Sequence, residues 1–170
     1  MRTQVPIFGS ADELMLGILR PFFEGKGVHI GTLFSEGLNP PIIIVRRERR
    51  SGTVGLDVSD DRFVQPAIVS VNTITAGIDA DEEGEELQEA CRVAIRMAQL
   101  NQLVIPGAGY ISRIENSVMP SRVSDWATSN GPVQYAALPK GLVRYESVYR
   151  LLLRPPSQSL VNNRYVSPAP

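Results

Sequence analysis

Val143-Arg144-Tyr145-Glu146-Ser147-Val148-Tyr149-Arg150-Leu151-Leu152-Leu153-Arg154 alternates over twelve residues. Val143, Tyr145, Ser147, Tyr149, Leu151 and Leu153 fall on one side, and Arg144, Glu146, Arg150 and Arg154 on the other. A period of two is the signature of a strand with one face on a core, so this stretch fixes β-structure at the end of the domain. The segments before it must then supply the rest of a sheet and the layer that covers it.

Working back, 119–142 holds Trp126, Asn130-Gly131-Pro132 and Pro139-Lys140-Gly141 and shows no clean period, which marks a long excursion. Tyr110 to Val118 reads as a strand, preceded by the helix-ending turn Pro106-Gly107-Ala108-Gly109. The helix it ends opens at Asp79-Ala80-Asp81-Glu82, with Asp79 as N-cap, and carries Leu87, Ala90, Cys91, Ala94, Ile95 and Ala98 on one stripe. Its acids come early and Arg92 and Arg96 late, which suits the helix dipole. Glu82, Glu85, Glu89, Arg92, Arg96 and Gln99 lie off the stripe and face solvent.

Ahead of that helix, Pro66 to Thr75 alternates Ala67, Val69, Val71 and Thr73 against Ser70 and Asn72, predicting a strand buried on one face. Pro41-Ile42-Ile43-Ile44-Val45 is a continuous apolar run, predicting a central strand covered on both faces. Between them, Arg46 to Asp61 reads as a long polar connection that opens with Arg46, Arg47, Arg49 and Arg50. Val28 to Phe34 is short and β-compatible. Ser10-Ala11-Asp12-Glu13 has the form of a capping box, and Leu14, Met15, Ile18, Leu19, Phe22 and Phe23 follow at helical spacing, with Pro21 ending or kinking the helix near Arg20. The reading is one α+β domain over 11–154: two helices packed on one face of a mainly antiparallel sheet of four to five strands. An N-terminal arm (1–10) and an extended Pro/Ser-rich C-terminal arm (155–170) flank it.

Composition narrows the function classes. The chain has 170 residues, 43% of them hydrophobic, enough for one core without staples. Seventeen basic residues against eighteen acidic ones exclude a surface that clamps nucleic acid everywhere. One histidine (His29) and one cysteine (Cys91) fall short of a metal site and permit no intrachain disulfide. No convincing nucleophile and base pair stands out, so the chain is read as non-enzymatic, with no cofactor and no metal. No long apolar run or signal-like leader appears, which points to a soluble chain made in a cytosol with no membrane partner.

Charge is unevenly distributed: up to Cys91 there are eight basic and fifteen acidic residues, and from Arg92 onward nine basic and three acidic. All but two of the basic residues are arginine, whose planar fork favours contacts. A chain polarised in this way can meet copies of itself head to flank, the geometry that closes rings.

The order of elements, with Asn39-Pro40-Pro41-Ile42-Ile43-Ile44-Val45-Arg46, the strand Ala67 to Thr75 running into the helix Asp79 to Leu103, and Arg144-Tyr145-Glu146-Ser147-Val148-Tyr149-Arg150-Leu151, resembles the tail terminator proteins of long-tailed bacteriophages, especially those of actinobacterial hosts. The resemblance covers roughly 11–154. It implies a structural virion protein at the head-proximal end of the tail, assembled in the host cytoplasm. Six copies would form a ring that caps the tail tube, stops its growth and joins the head-neck connector, or stopper, while double-stranded DNA passes through the lumen. It also makes Arg46, Arg47, Arg49 and Arg50 contact candidates, beside Glu82, Glu85 and Glu86 of the second helix and Arg144, Arg150 and Arg154 of the last strand. Two other readings stand beside it. One is a different connector of the same particle, such as a neck stopper or tail-completion protein. The other is a small α+β nucleic-acid-binding module using the arginines of 46–50 and the Arg144, Arg150, Arg154 face.

Overall fold

The computed structural model describes residues 9–34, 37–48, 64–123 and 141–155, with the side chains of 115–117 left aside. These form α1 (Ala11–Phe22), β1 (His29–Gly31), β2 (Ile42–Arg47), β3 (Gln65–Ala76), α2 (Ala80–Leu100), β4 (Tyr110–Arg122) and β5 (Leu142–Arg154). The five strands make one sheet in the order β1-β2-β3-β5-β4. β2, β3, β5 and β4 pair antiparallel, but β1 runs parallel to β2, so the sheet is mixed. The parallel pair arises because the chain between Gly31 and Ile42 returns to the start of β1 before laying down β2, with His29 donating its backbone N–H to the Pro41 carbonyl at 3.0 Å. Residues 1–8 and 156–170 of the two arms, 49–63 (with Arg49 and Arg50) and most of the 119–142 excursion lie outside the described residues.

α1 begins where the capping pattern places it. Ser10 Oγ accepts from the Asp12 backbone N–H at 3.3 Å, and the Ser10 carbonyl takes the first helical bond from Leu14. Pro21 does not end the helix, which runs on to Phe22 with the Phe23 N–H bonded to the Leu19 carbonyl at 3.0 Å. A proline this near the C-terminus costs one bond, to Gly17, and the last turn closes around it. Leu14, Met15, Ile18 and Leu19 are buried against the sheet.

β2 is buried on both faces, as a continuous apolar run requires. Ile43 and Val45 join the main core under the helices, while Ile42 and Ile44 join Ile74 in a second cluster on the opposite face, flanked by Phe34, Leu38 and Leu142. Strand structure continues through Arg46 and Arg47, which therefore belong to β2 and not to a loop. β3 departs from expectation, because every residue from Val69 to Thr75 is buried, Ser70 and Asn72 included. Both of its faces are covered there: Val69, Val71, Thr73 and Thr75 face the helices, and Ser70, Asn72 and Ile74 are buried on the other side with Ile42, Ile44 and Arg144.

α1 lies over β1 and β2, and α2 over β3, β4 and β5. α2 buries the stripe read from the sequence, Ala90 only in part, and adds Ala80, Gly84 and Gln88 to it. At Gly84 the helix touches the sheet: an added Cβ would stand 2.8 Å from Tyr145 Cδ2 and 3.1 Å from Thr75 Oγ1. Thr73 and Thr75 donate their hydroxyls to the Gly84 and Ala80 carbonyls. Gln88 Nε2 donates to the carbonyls of Val71 at 2.9 Å and Tyr145 at 3.1 Å, and its Oε1 accepts from the Ser147 hydroxyl at 2.9 Å. β4, the far edge, carries three register shifts and Pro120, features that discourage edge-to-edge pairing. It runs on to Arg122, beyond the Val118 end read from the sequence.

Candidate assembly surfaces

The outer face of α2 divides into two parts. Its first half is acidic: Asp81, Glu82, Glu83, Glu85, Glu86 and Glu89 are all exposed. Asp79 sits at the N-cap position but makes no side-chain capping bond, so dipole and solvent stabilise these acids together. Glu89 ends the acidic run and pairs with Arg92 through contacts of 2.6 and 2.7 Å. That pairing holds the Glu89 carboxyl below the ordinary range and raises the Arg92 guanidinium. At the helix start Asp81 Oδ1 accepts from the Tyr145 hydroxyl at 3.0 Å and meets Arg122 Nη1 at 3.0 Å, tying α2 to β5 and β4.

The second half of that face carries an apolar row beside the exposed Arg96. Val93, Met97 and Leu100, and Leu103 and Val104 just beyond the helix, are exposed, from 38% at Val93 to 68% at Leu100. The signal was present in the sequence at i, i+4 and i+7, but a reading that assigns one apolar stripe to each helix passes over a second.

Arg46 and Arg47 emerge at the end of β2 under α1. With Ser10, Asp12, Thr32, Leu33 and Glu48 they line an open cleft of about 760 Å³. β1 stops at Gly31, paired with Ile44, so the last residues of β2 extend past their neighbour and create the opening. Asp12 projects from the first turn of α1 into this corner. Burial pushes its carboxyl above the ordinary value, against the opposing pull of the Arg47 backbone N–H and of the Arg47 and Arg46 charges. Asp12 Oδ1 is enclosed with no hydrogen-bond partner among the described residues.

Arg144 is a correction. It was read as part of a basic outer face with Arg150 and Arg154, but it is only 2% exposed. Arg144 Nε donates to Asn72 Oδ1 at 2.8 Å and its Nη2 lies 3.3 Å from Glu146 Oε1, with Glu146 1% exposed. The alternation of β5 is real, but both of its faces are covered at this end. Arg150 is half-buried and Arg154 exposed, so the three arginines do not form one surface. Glu82, Glu85 and Glu86 are on a surface as read, on the flank away from Arg46 and Arg47.

No protein-family model and no curated protein matches the chain. Among the described residues no three His, Cys, Asp or Glu side chains are grouped to hold a metal ion, and no helix is long and apolar enough to cross a membrane. Cys91 is buried under α2, and burial pushes its thiol up to about 12, which keeps it protonated at neutral pH. His29 lies exposed on the short edge strand, away from Cys91 in the core. What the arrangement offers is a helix whose outer face is acidic at its start and carries an apolar row toward its end, and a cleft lined by two arginines and two carboxylates.

Proposed function

We propose that this chain is a structural ring subunit of a long-tailed phage virion, a tail terminator: about six copies close around a lumen, cap the tail tube, end its growth and meet the head-neck connector. The observation that carries the proposal is that unlike surfaces stand apart on one molecule: the exposed acids of α2 begin beside Thr75 at one end of β3, and Arg46 and Arg47 pair with Ser70 and Val69 toward its other end. Unlike surfaces on one molecule make heterologous contacts, and a heterologous contact with closing rotation gives a ring. Capping requires no turnover. It needs one ring face that binds the tube end and another that refuses a further tube subunit.

The opposed charges of the two halves of the sequence do not become two lobes, because β5 from the second half inserts beside β3 from the first. Ring closure in this proposal rests on local patches. The burial of Arg144 also removes one member of the basic face on which a nucleic-acid-binding reading depends.

The test is native mass measurement with purified tube protein added and withheld, followed by electron microscopy of the tube ends. A closed oligomer seated on one end of tubes that no longer elongate supports the proposal. Tubes that grow unchecked, with no ring at either end, overturn it. Free-duplex binding that weakens steeply with salt supports a nucleic-acid-binding module instead.

A further inference from the structure

The end of α2 leaves an apolar row uncovered beside the point where the C-terminal arm departs. Val93, Met97 and Leu100 are 38%, 53% and 68% exposed, and Leu103 and Val104 continue the row past the helix end at 45% and 53%. On the helix they lie away from Cys91, Ala94, Ile95 and Ala98, which are buried in the core. Together the five expose on the order of 400 Å² of apolar side chain, an extent that is often functional on a monomer. The exposed Arg96 stands beside the row and donates from Nη1 to Gln99 Oε1 at 3.0 Å, so what the row itself offers an occupant is apolar area.

The turn after α2 ties this row to the exit of the arm. Val104 is followed by Ile105, whose backbone N–H donates to the Gly109 carbonyl at 2.8 Å. Gly109 lies against the end of β5, where an added Cβ would collide with the Arg154 carbonyl oxygen and stand 3.3 Å from the Pro155 carbonyl carbon. Residues 156–170 start from this corner. A segment of that length spans on the order of 50 Å when extended, against about 10 Å along the helix from Val93 to Leu100. It carries Leu160, Val161, Tyr165 and Val166, and Arg164 is its single charged side chain. A contact between an arm and the fold it leaves is intramolecular, with an effective concentration of about millimolar, so a modest apolar area suffices.

Residues 1–8 leave from the same corner, since a Cβ on Gly9 would collide with Ala108 Cα. Their apolar pair Ile7 and Phe8 adjoins Gly9 itself, whereas Leu160 stands five residues beyond Pro155, a spacing that reaches past the corner to the row.

We propose that residues 160–166 dock within their own chain on the row formed by Val93, Met97, Leu100, Leu103 and Val104, as a strap over the end of α2 that must lift before another protein can use this face. The inference concerns a single copy and does not depend on the tail-terminator reading.

The experiment reads both sides of the contact in the full chain. Arg164 is the only basic residue after Arg154, so trypsin reports the arm at one bond. Met97 and Met119, 53% and 65% exposed, report the helix and a strand apart from it through their initial rates of peroxide oxidation, read by mass spectrometry. In Met97→Ser with Leu100→Ser, cleavage at Arg164 is expected to run about tenfold faster than in wild type. In Leu160→Ser with Val161→Ser and Tyr165→Ser, oxidation of Met97 is expected to rise about tenfold while Met119 keeps its rate. Wild-type rates should hold constant over about a hundredfold dilution, as an intramolecular contact requires. Far-ultraviolet circular dichroism checks that both variants fold, and Leu103→Ser with Val104→Ser, beyond the helix end, replaces the helix variant if it does not.

Acceleration in both variants supports the proposal, and acceleration in neither or in only one overturns it. Protection of Met97 that survives in the arm variant also overturns it and assigns the row to residues 1–8. Protection that fades on dilution overturns it as well, and assigns the row to the arm of a second copy.

Discussion

Arg144 and Glu146 share one face of β5, and their side chains meet at 3.3 Å with 2% and 1% exposure, while Arg144 Nε donates to Asn72 Oδ1 on β3. A charged row has thus been placed inside the sheet, on the face away from the helices, beside Ile42, Ile44 and Ile74. Removing one charge strands the other. Arg144→Ala is expected to cost about 3–5 kcal/mol, measured by urea unfolding, whereas Arg154→Ala on the exposed end of the same strand should change stability by less than about 0.5 kcal/mol. Equal small effects at the two positions would mean that Arg144 is not held as described.

Asp12 gives a stability effect with a defined pH sign. Its folded carboxyl is raised above the ordinary value by burial, so the folded state holds this proton more tightly than the unfolded chain does. The favourable contribution is therefore complete below the unfolded value and is lost as pH rises through the folded one. At neutral pH the ionised group is a burden, and Asp12→Asn, which keeps an oxygen for the Arg47 N–H, should melt higher than wild type. The gap should close as pH falls below the ordinary aspartate range. Melting curves of both proteins from pH 7 to pH 3 read this directly, and a gap that widens toward acid pH would reverse the assignment.

Tyr149 is 1% exposed, and burial pushes its phenol up to about 12. The nearby Ser147 hydroxyl donates to Gln88 Oε1 at 2.9 Å, and the enclosed Tyr149 oxygen has no hydrogen-bond partner among the described residues. An unpaired buried hydroxyl costs free energy, and its removal keeps the ring in the core. Tyr149→Phe should leave the urea midpoint unchanged or raise it, by up to about 1 kcal/mol of stability. A loss above that size would show that the hydroxyl makes a bond that matters.

Most of the architecture was legible because it rests on periodicity. The stripe of α2 and the run Ile42–Val45, read as covered on both faces, are buried as read, and of the β5 alternation the Tyr145, Ser147, Tyr149, Leu151 and Leu153 side is buried as read. The errors share one cause, the assumption that polar means outside. Ser70, Asn72, Arg144 and Glu146 are buried because they satisfy one another across β3 and β5, a pairing that depends on register and that no single strand displays. Gln88 escaped notice for the same reason, although it lies four residues after Gly84 and three before Cys91, squarely within the buried arc. Of the candidate contacts, Glu82, Glu85 and Glu86 were legible as a charge run on a solvated face. The cleft at Arg46 and Arg47 was not, because it exists only where β1 stops short of the end of β2.

Gly84 tests how closely α2 sits on the sheet. In an exposed helix interior, alanine in place of glycine gains about 1 kcal/mol through lower chain entropy. Here the new Cβ would stand 2.8 Å from Tyr145 Cδ2, and the Tyr145 ring cannot swing away freely because its hydroxyl is bonded to Asp81. The Thr75 hydroxyl on the other side, 3.1 Å from the same point, is occupied by the Ala80 carbonyl. The helix must therefore lift or the ring must turn, and overpacking of this kind costs about 1–3 kcal/mol. Lifting would also stretch the Gln88 bonds one turn further along, to the Val71 and Tyr145 carbonyls. Gly84→Ala should thus lower stability where propensity alone predicts a gain. Gln102→Gly, at a left-handed residue just past the helix end, relieves backbone strain without touching packing and provides a separate reference. Urea unfolding of Gly84→Ala, followed by far-ultraviolet circular dichroism, measures the sign, and a stabilised variant would show that α2 rides higher on the sheet than these contacts place it.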